Sequence, residues 1–280
     1  MTKRITRIAL VQQRAGQDRA VNVERGLKAV RAAAAKGANI ICFAELAFDR
    51  FYPQNKAEGE VIGMAEPVPG PTTTAFAHLA SELHVAIVLN VFEADGERTF
   101  DTSPVIDADG TLLGKTRMIH ITDYPCFHET DYYFPGDRGA PVYETAFGKI
   151  GVAICYDRHY PEYMRALGVA GAEIVFIPQA GVCDEWPDGL YHAEIQVAAF
   201  QNGYFAALCN RVGREDQMEF AGESFVCKPN GEIIAAAGTL TEEILFADLD
   251  LSEVASSHAR TLFYRDRRPD LYEQWISQID

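Results

Sequence analysis

Residues Gly151-Val152-Ala153-Ile154-Cys155-Tyr156-Asp157-Arg158-His159-Tyr160-Pro161-Glu162 carry the reading that decides the fold. The apolar run 150–155 is too short for a helix and reads as a buried strand, while 159–171 has helical spacing. A strand that turns directly into a helix is the building unit of α/β proteins. Cys155 stands at that turn, where a side chain is held out of the sheet and a helix N-terminus offers N–H groups and the positive end of its dipole. Both favour the thiolate, the nucleophilic form. The competing reading is a small apolar packing residue, a common role for a free cysteine.

The same alternation continues in both directions. Upstream, 5–12 reads as a strand, 20–36 as an Ala-rich helix, 39–44 as a strand, 72–83 as a helix and 85–92 as a strand. Segment 100–107 pairs antiparallel with 111–119 through the turn Asp109-Gly110. Downstream, strand 173–178 precedes a helix over 186–202 closed by Gly203. Strands then follow at 204–210, 223–228, 233–236 and 244–249, with a hairpin turn at Asn230-Gly231. Helices on a sheet in both halves predict an α/β fold, a four-layer α-β-β-α sandwich with two mixed β-sheets. No Pro-, Gly- or Ser-rich linker interrupts the chain, so residues 1–280 read as one domain.

Forty Asp and Glu against 25 Lys and Arg give a net charge of −15, which repels phosphate backbones and anionic lipid. The one local run of cations, Arg265, Arg267 and Arg268, is interleaved with Asp266 and Asp270, so neither nucleic acid nor membrane is expected as a partner. Apolar runs such as 85–92 fall far short of the ~20 residues of a spanning helix. The N-terminal apolar stretch is cut short by Gln12 and Gln13 and reads as a first strand rather than a signal peptide. Six dispersed cysteines without a C-x-x-C pair point to reduced thiols and a cytoplasmic protein, not to a zinc knuckle or disulfide framework.

Two further positions carry chemistry. Glu45 ends the apolar run 39–44, and strand ends are where α/β folds place functional groups. Gly110-Thr111-Leu112-Leu113-Gly114-Lys115-Thr116 imitates a phosphate-binding loop but has three residues between its glycines instead of four and a strand after the lysine. From its surroundings alone Lys115 is an ordinary hairpin lysine.

Taken in order, Phe43-Ala44-Glu45, Gly114-Lys115 and Ile154-Cys155-Tyr156-Asp157 make the chain resemble the nitrilase, or carbon-nitrogen hydrolase, superfamily. Ile8-Ala9-Leu10-Val11-Gln12, Pro135-Gly136-Asp137, Asn210-Arg211-Val212-Gly213, Gly222-Glu223-Ser224-Phe225 and Arg265-Asp266-Arg267-Arg268-Pro269 extend the likeness along the chain. The resemblance implies a Glu-Lys-Cys triad. Cys155 would attack the carbonyl or ureido carbon, Glu45 would act as general base, and Lys115 with the backbone N–H of Tyr156 would stabilise the oxyanion. No metal or organic cofactor is implied. Glu129, in Phe127-His128-Glu129-Thr130-Asp131-Tyr132-Tyr133-Phe134, matches a second glutamate of the amidases and carbamoylases and would position substrate or Lys115.

Cys155-Tyr156-Asp157-Arg158-His159 looks closest to 3-ureidopropionases and N-carbamoyl amino acid hydrolases. The resemblance implies a hydrolase of a small amide or N-carbamoyl compound that releases ammonia. Short chains of this kind also resemble N-carbamoylputrescine amidases and aliphatic amidases. A nitrilase is a weaker match, because those enzymes usually follow the cysteine with Trp-Glu. A non-hydrolytic, acyl-transferring or metabolite-binding relative is the reading from another class.

Tyr156, Arg158 and His128 are the substrate-contacting candidates. Arg158 suits a substrate carboxylate, or alternatively an ion pair with Asp157 or Glu162. His128 and His192 also fit as structural histidines, and Asp184, Glu185 and Trp186 as a lid or as caps of the next helix. The likeness further implies a homodimer or larger homo-oligomer, joined by the helices after Cys155 and around Glu194.

Overall fold

Along the strand Ile5–Gln12, Ile8 and Leu10 face one way, Ala9 and Val11 the other, and both sets are buried. Strand Ile40–Phe43 repeats this, with Ile40 and Cys42 inward and Ile41 and Phe43 outward. A strand covered on both faces loses the apolar–polar alternation, which explains the continuous apolar runs in the sequence. The computed structural model describes residues 2–276; Met1 and residues 277–280 of the expected 1–280 unit lie outside the described residues.

Two mixed sheets result. In the first the order is Glu243–Asp250, Ile5–Gln12, Ile40–Phe43, Ala86–Val88, Arg98–Ile106 and Val91–Asp95, with Leu112–Arg117 also paired to Arg98–Ile106. In the second it is Ile233–Ala236, Phe225–Cys227, Phe205–Asn210, Ile174–Gln179, Gly148–Val152 and Val142–Thr145. The inner faces meet in one core in which Ile8, Leu10, Ile40 and Val88 pack with Ile150, Val152, Phe176 and Phe205. Helices Arg19–Ala35 and Pro71–Leu83 cover the first sheet through Val30, Ala33, Phe76 and Leu79. Helices Pro161–Val169 and Leu190–Asn202 cover the second through Met164, Leu167, Ile195 and Ala199. This is the expected α-β-β-α sandwich.

Local signals set the element ends. Asp18 caps helix Arg19–Ala35 by accepting from the Ala20 and Val21 N–H groups at 2.9 and 3.2 Å. Within that helix Gly26 lets the backbone pack against a cluster of rings, since a Cβ there would lie 2.6 Å from Phe48, 3.1 Å from Phe76 and 3.3 Å from Phe43. Polar ties then cross between the sheets. Gln12 Oε1 accepts from the Ser224 N–H and hydroxyl at 2.9 and 2.7 Å, and the Cys209 thiol donates to the Cys42 carbonyl at 3.4 Å.

Several boundaries differ from expectation. Segment 85–92 is not one strand: it breaks at Asn90, whose side chain accepts from the Leu46 N–H at 2.7 Å and donates to Asp101 and Ser103, so the chain leaves the parallel ladder there. The helix expected over 159–171 begins at Pro161, after a 3₁₀ turn Cys155–His159, and the helix expected from 186 begins at Leu190. Strand Val142–Thr145 and the hairpin Val212–Glu215 with Met218–Ala221 were not foreseen. No helix among the described residues is long and apolar enough to cross a membrane.

Candidate active site

Glu45 follows strand Ile40–Phe43 of the first sheet and Cys155 follows strand Gly148–Val152 of the second, and the two side chains meet. The Glu45 backbone is pinned by Arg211, which donates to the Glu45 carbonyl at 2.9 Å, to the Asp49 carbonyl at 2.8 Å, to the Leu46 carbonyl and to Glu215. That accounts for the Asn210-Arg211 motif. The Glu45 carboxyl is fully buried, and neither of its oxygens has a hydrogen-bond partner. Burial and the nearby Glu129 carboxyl push it up to about 8.

Cys155 has φ of 41°, a left-handed value that costs a non-glycine residue energy and marks a backbone held by its surroundings. Arg158 Nη1 does much of the holding, donating to the Cys155 carbonyl at 3.0 Å and to Gln179 at 2.9 Å. The helix dipole expected at this turn is displaced, because the α-helix starts only at Pro161. Burial, Glu45 and Glu129 hold the thiol well above its ordinary value, so the resting group is a thiol and not the thiolate expected from sequence. Its proton must be removed by a neighbour, and Glu45 is adjacent.

Glu129 joins the same cluster. It lies on a 3₁₀ turn, is fully buried, accepts the Thr122 N–H at 3.3 Å through Oε2, and leaves Oε1 without a partner. Its carbonyl accepts the Tyr132 and Tyr133 N–H groups, both at 2.9 Å. Asp157, two residues beyond Cys155, is fully buried and accepts the Ile119 and His120 N–H groups at 3.2 and 3.0 Å and the His120 ring at 2.7 Å.

Other candidates fall elsewhere. Arg158 pairs with neither Asp157 nor Glu162 but with Glu194 at 3.1 Å, while its Nη2 has no partner. His128 is turned to Asp123 at 2.9 Å. The Tyr156 ring stands edge-on to His159 and Tyr160. Asp184, Glu185 and Trp186 do not cap the following helix, whose N-cap is Gly189; with Glu219, Glu223, Tyr191 and neighbours they line a cavity of about 450 Å³. The His192 ring packs on Phe225.

Lys115 is the main correction. Side chains alternate along Leu112–Arg117, so Thr116, bonded to Tyr143 of the other sheet at 3.1 Å, points inward, while Lys115 and Arg117 point outward. Lys115 Nζ is held by Glu93 and by the Val68 carbonyl at 3.1 Å, in a network where Arg117 also donates to Glu93, Asp95 and Asp137. The structure therefore does not bring Lys115 to Cys155, Glu45 or Glu129. Continuing the alternation, Met118 turns inward opposite Asp101 and is buried in the inter-sheet core.

A family model described as carbon-nitrogen hydrolase matches residues 7–259. The chain belongs to the carbon-nitrogen hydrolase family. It is 39% identical over 284 residues to an N-carbamoylputrescine amidase of Solanum lycopersicum, covering 96% of this chain and 94% of that protein. It is 33% identical to a beta-ureidopropionase of Arabidopsis thaliana, covering 89% of this chain and 65% of that one. Among solved structures, a carbon-nitrogen hydrolase from Helicobacter pylori superposes with a TM-score of 0.88 at 27% identity, over 99% of this chain and 100% of that one.

Of the Glu-Lys-Cys triad typical of its family, this carbon-nitrogen hydrolase brings the expected Glu45 and Cys155 together and holds the expected Lys115 on Glu93, while the inward position at that strand's end belongs to Met118. The missed site residues are Asp101, Met118 and Tyr133. Asp101 is buried, receives Asn90 at 2.5 Å on one oxygen and has no partner on the other; burial and the neighbouring Glu45 raise it well above the usual carboxylate range. The Tyr133 hydroxyl, buried without a partner, feels Asp101, Glu45 and Glu129 at once. A carboxylate inside the otherwise buried strand Arg98–Ile106 was the available signal for Asp101.

Proposed function

We propose that the protein hydrolyses a C–N bond of a small linear ureido or amide compound bearing a cationic tail, with Cys155 as nucleophile and Glu45 as general base. The observation that carries this is the buried Cys155 thiol beside the unpartnered Glu45 carboxyl. Glu45 takes the thiol proton, sulfur adds to the carbonyl carbon, and Glu45 returns the proton to the leaving ammonia or amine; water, deprotonated by Glu45, then clears the thioester-like intermediate. Glu129 orients the substrate through Oε1, and the Tyr156 N–H and Tyr133 hydroxyl supply the donors for the oxyanion.

The tail reading rests on the acidic cavity. Glu185 on its wall accepts the Tyr124 hydroxyl at 2.9 Å, and that hydroxyl in turn feels Cys155 and Glu129, which supports an approach to the nucleophile from this side. Asp184, Glu185, Glu219 and Glu223 there favour an ammonium group, in keeping with the amine tail named by the N-carbamoylputrescine amidase relative. The partnerless Arg158 Nη2 favours a second reading, an N-carbamoyl amino acid or 3-ureidopropionate whose carboxylate it would receive.

Ammonia release from (4-aminobutyl)urea and 3-ureidopropionate, compared between wild type and Cys155→Ala, tests this. The variant should fold and lose activity; surviving release would sink the role of Cys155. We further propose one domain over 1–280 and a cytoplasmic homo-oligomer that pairs through the groove of about 440 Å³ beside helices Pro161–Val169 and Leu190–Asn202, where Leu190 and Val197 are half exposed.

A further inference from the structure

Three carboxyl groups, Glu45, Asp101 and Glu129, are buried together around Cys155 with four oxygens lacking a donor: both of Glu45, Oδ2 of Asp101 and Oε1 of Glu129. Among the described residues no lysine or arginine side chain donates to any of the three. Of the seven lysines, Lys115 and Lys228 are engaged with Glu93 and Glu253, and Lys3, Lys28, Lys36, Lys56 and Lys149 are exposed. The inner position opposite Asp101 belongs to Met118, an apolar side chain with no proton to give.

Such a cage is poorly matched to an amide. Thiolate attack on a neutral carbonyl moves a negative charge onto oxygen, and among the described residues no lysine or arginine side chain stands in this cluster to receive it. It is well matched to a planar centre that arrives as a cation and presents N–H groups in a fork, because carboxylates receive such a fork in pairs. A bound cation would also reverse the influence of Glu45 and Glu129 on the thiol and favour the thiolate.

We propose that this site hydrolyses amidinium or guanidinium compounds, in addition to or in preference to the ureido and amide class, with Asp101 and Glu129 holding the cationic C(NH₂)₂ group. The step rests on the Cys155 and Glu45 roles given above and balances without any further reagent. Glu45 takes the thiol proton, sulfur bonds to the amidinium carbon, and the C–N π pair returns to nitrogen, giving an uncharged tetrahedral adduct. Glu45 delivers its proton to one amino group, the C–N bond breaks, and ammonia leaves a cationic S-thioimidate. Water, deprotonated by Glu45, adds to that carbon, the C–S bond breaks as the new hydroxyl's proton passes to sulfur and restores the thiol, and Glu45 yields its remaining proton to the ammonia released earlier. The sum is amidinium plus water to amide plus ammonium, or guanidinium plus water to a ureido compound plus ammonium.

The test measures ammonia release from two matched pairs, butyramidine against butyramide and (4-aminobutyl)guanidine against (4-aminobutyl)urea, by wild type, Met118→Lys, Asp101→Asn and Cys155→Ala. Wild type should favour the cationic member of at least one pair by tenfold or more in kcat/KM. Met118→Lys should invert that preference, Asp101→Asn should lower turnover of the cation at least tenfold more than that of its neutral partner, and Cys155→Ala should abolish both. In case Met118→Lys does not fold, thermal melting of Cys155→Ala at pH 8 gives a second reading, in which butyramidine raises Tm and butyramide does not. Turnover of the neutral compounds alone, with no Tm rise on butyramidine, overturns the proposal and leaves the hydrolase reading standing. Absence of turnover on all four compounds overturns both.

Discussion

Met118 and Asp101 sit across from one another on the inner face of the first sheet, the Met118 N–H donating to the Asp101 carbonyl at 3.0 Å. That backbone bond continues the ladder that sets which side chains of the strand Leu112–Arg117 face the second sheet, because shifting a strand by one residue reverses every side chain on it. The lysine three positions earlier is on the opposite face by the same rule.

Lys115→Ala should therefore leave kcat/KM within about threefold of wild type and lower stability by no more than about 1 kcal/mol, since Lys115 is partly solvated and Arg117 still serves Glu93. Arg117→Met is the contrast. It leaves the fully buried Glu93 with Lys115 and Thr102 alone and removes the partner of Asp95 and Asp137, and should cost about 3 kcal/mol. Urea unfolding alongside a steady-state assay separates the two, and a hundredfold loss of kcat in Lys115→Ala would return that residue to the catalytic set.

Glu45→Gln should preserve the fold and reduce kcat by about 10²–10⁴-fold, the range for removal of a general base. Glutamine keeps the volume and can donate to Asp101, so melting temperature should hold or rise. Circular dichroism with single-turnover kinetics reads both quantities, and full activity in the variant would exclude Glu45 as the base.

Stability should fall as pH rises across neutrality. Glu45, raised from 4.5 to about 8, binds its proton more tightly in the folded chain than in the unfolded one, and Asp101 and Glu129 are shifted the same way. A carboxyl raised by folding stabilises fully below its unfolded value, and that contribution is lost as pH climbs through the folded value. Glu93 and Glu194, which are lowered, are already ionised in both states above about pH 5 and add no slope there. Melting curves between pH 5.5 and 8.5 should show a decline of at least one proton's worth, made shallower in Glu45→Gln by about the share of that one carboxyl. A rise over that range would contradict the buried, uncompensated cluster.

Arg158→Met addresses the two tail readings. If the guanidinium acts by holding the Cys155 carbonyl, kcat drops about tenfold or more on cationic, neutral and anionic substrates alike, because small misplacements of a nucleophile are costly. A selective rise in KM for 3-ureidopropionate would instead identify Arg158 Nη2 as the carboxylate receptor.

Much of this architecture was legible in the chain. Segments 5–12, 39–44 and 150–155 announced themselves because burial on both faces leaves continuous apolar runs, and Asp109-Gly110 set the hairpin that carries residue 118. The order of Glu45, Lys115 and Cys155 led to the right family and to a lysine that the structure holds on Glu93, away from Cys155. Order along the chain does not say which face of a strand a residue occupies; that needs one anchored position, here Thr116 on Tyr143. The hairpin 212–221 escaped because its strands are short and its turn, Asp216-Gln217, has no glycine to mark it.

Asp157 ties the Cys155 turn of the second sheet to the Ile119 and His120 backbone at the end of the Met118 strand of the first. The turn that carries the nucleophile is thereby anchored to the opposing sheet as well as to its own. One buried carboxylate thus couples the two walls of the site, and its loss would loosen both together.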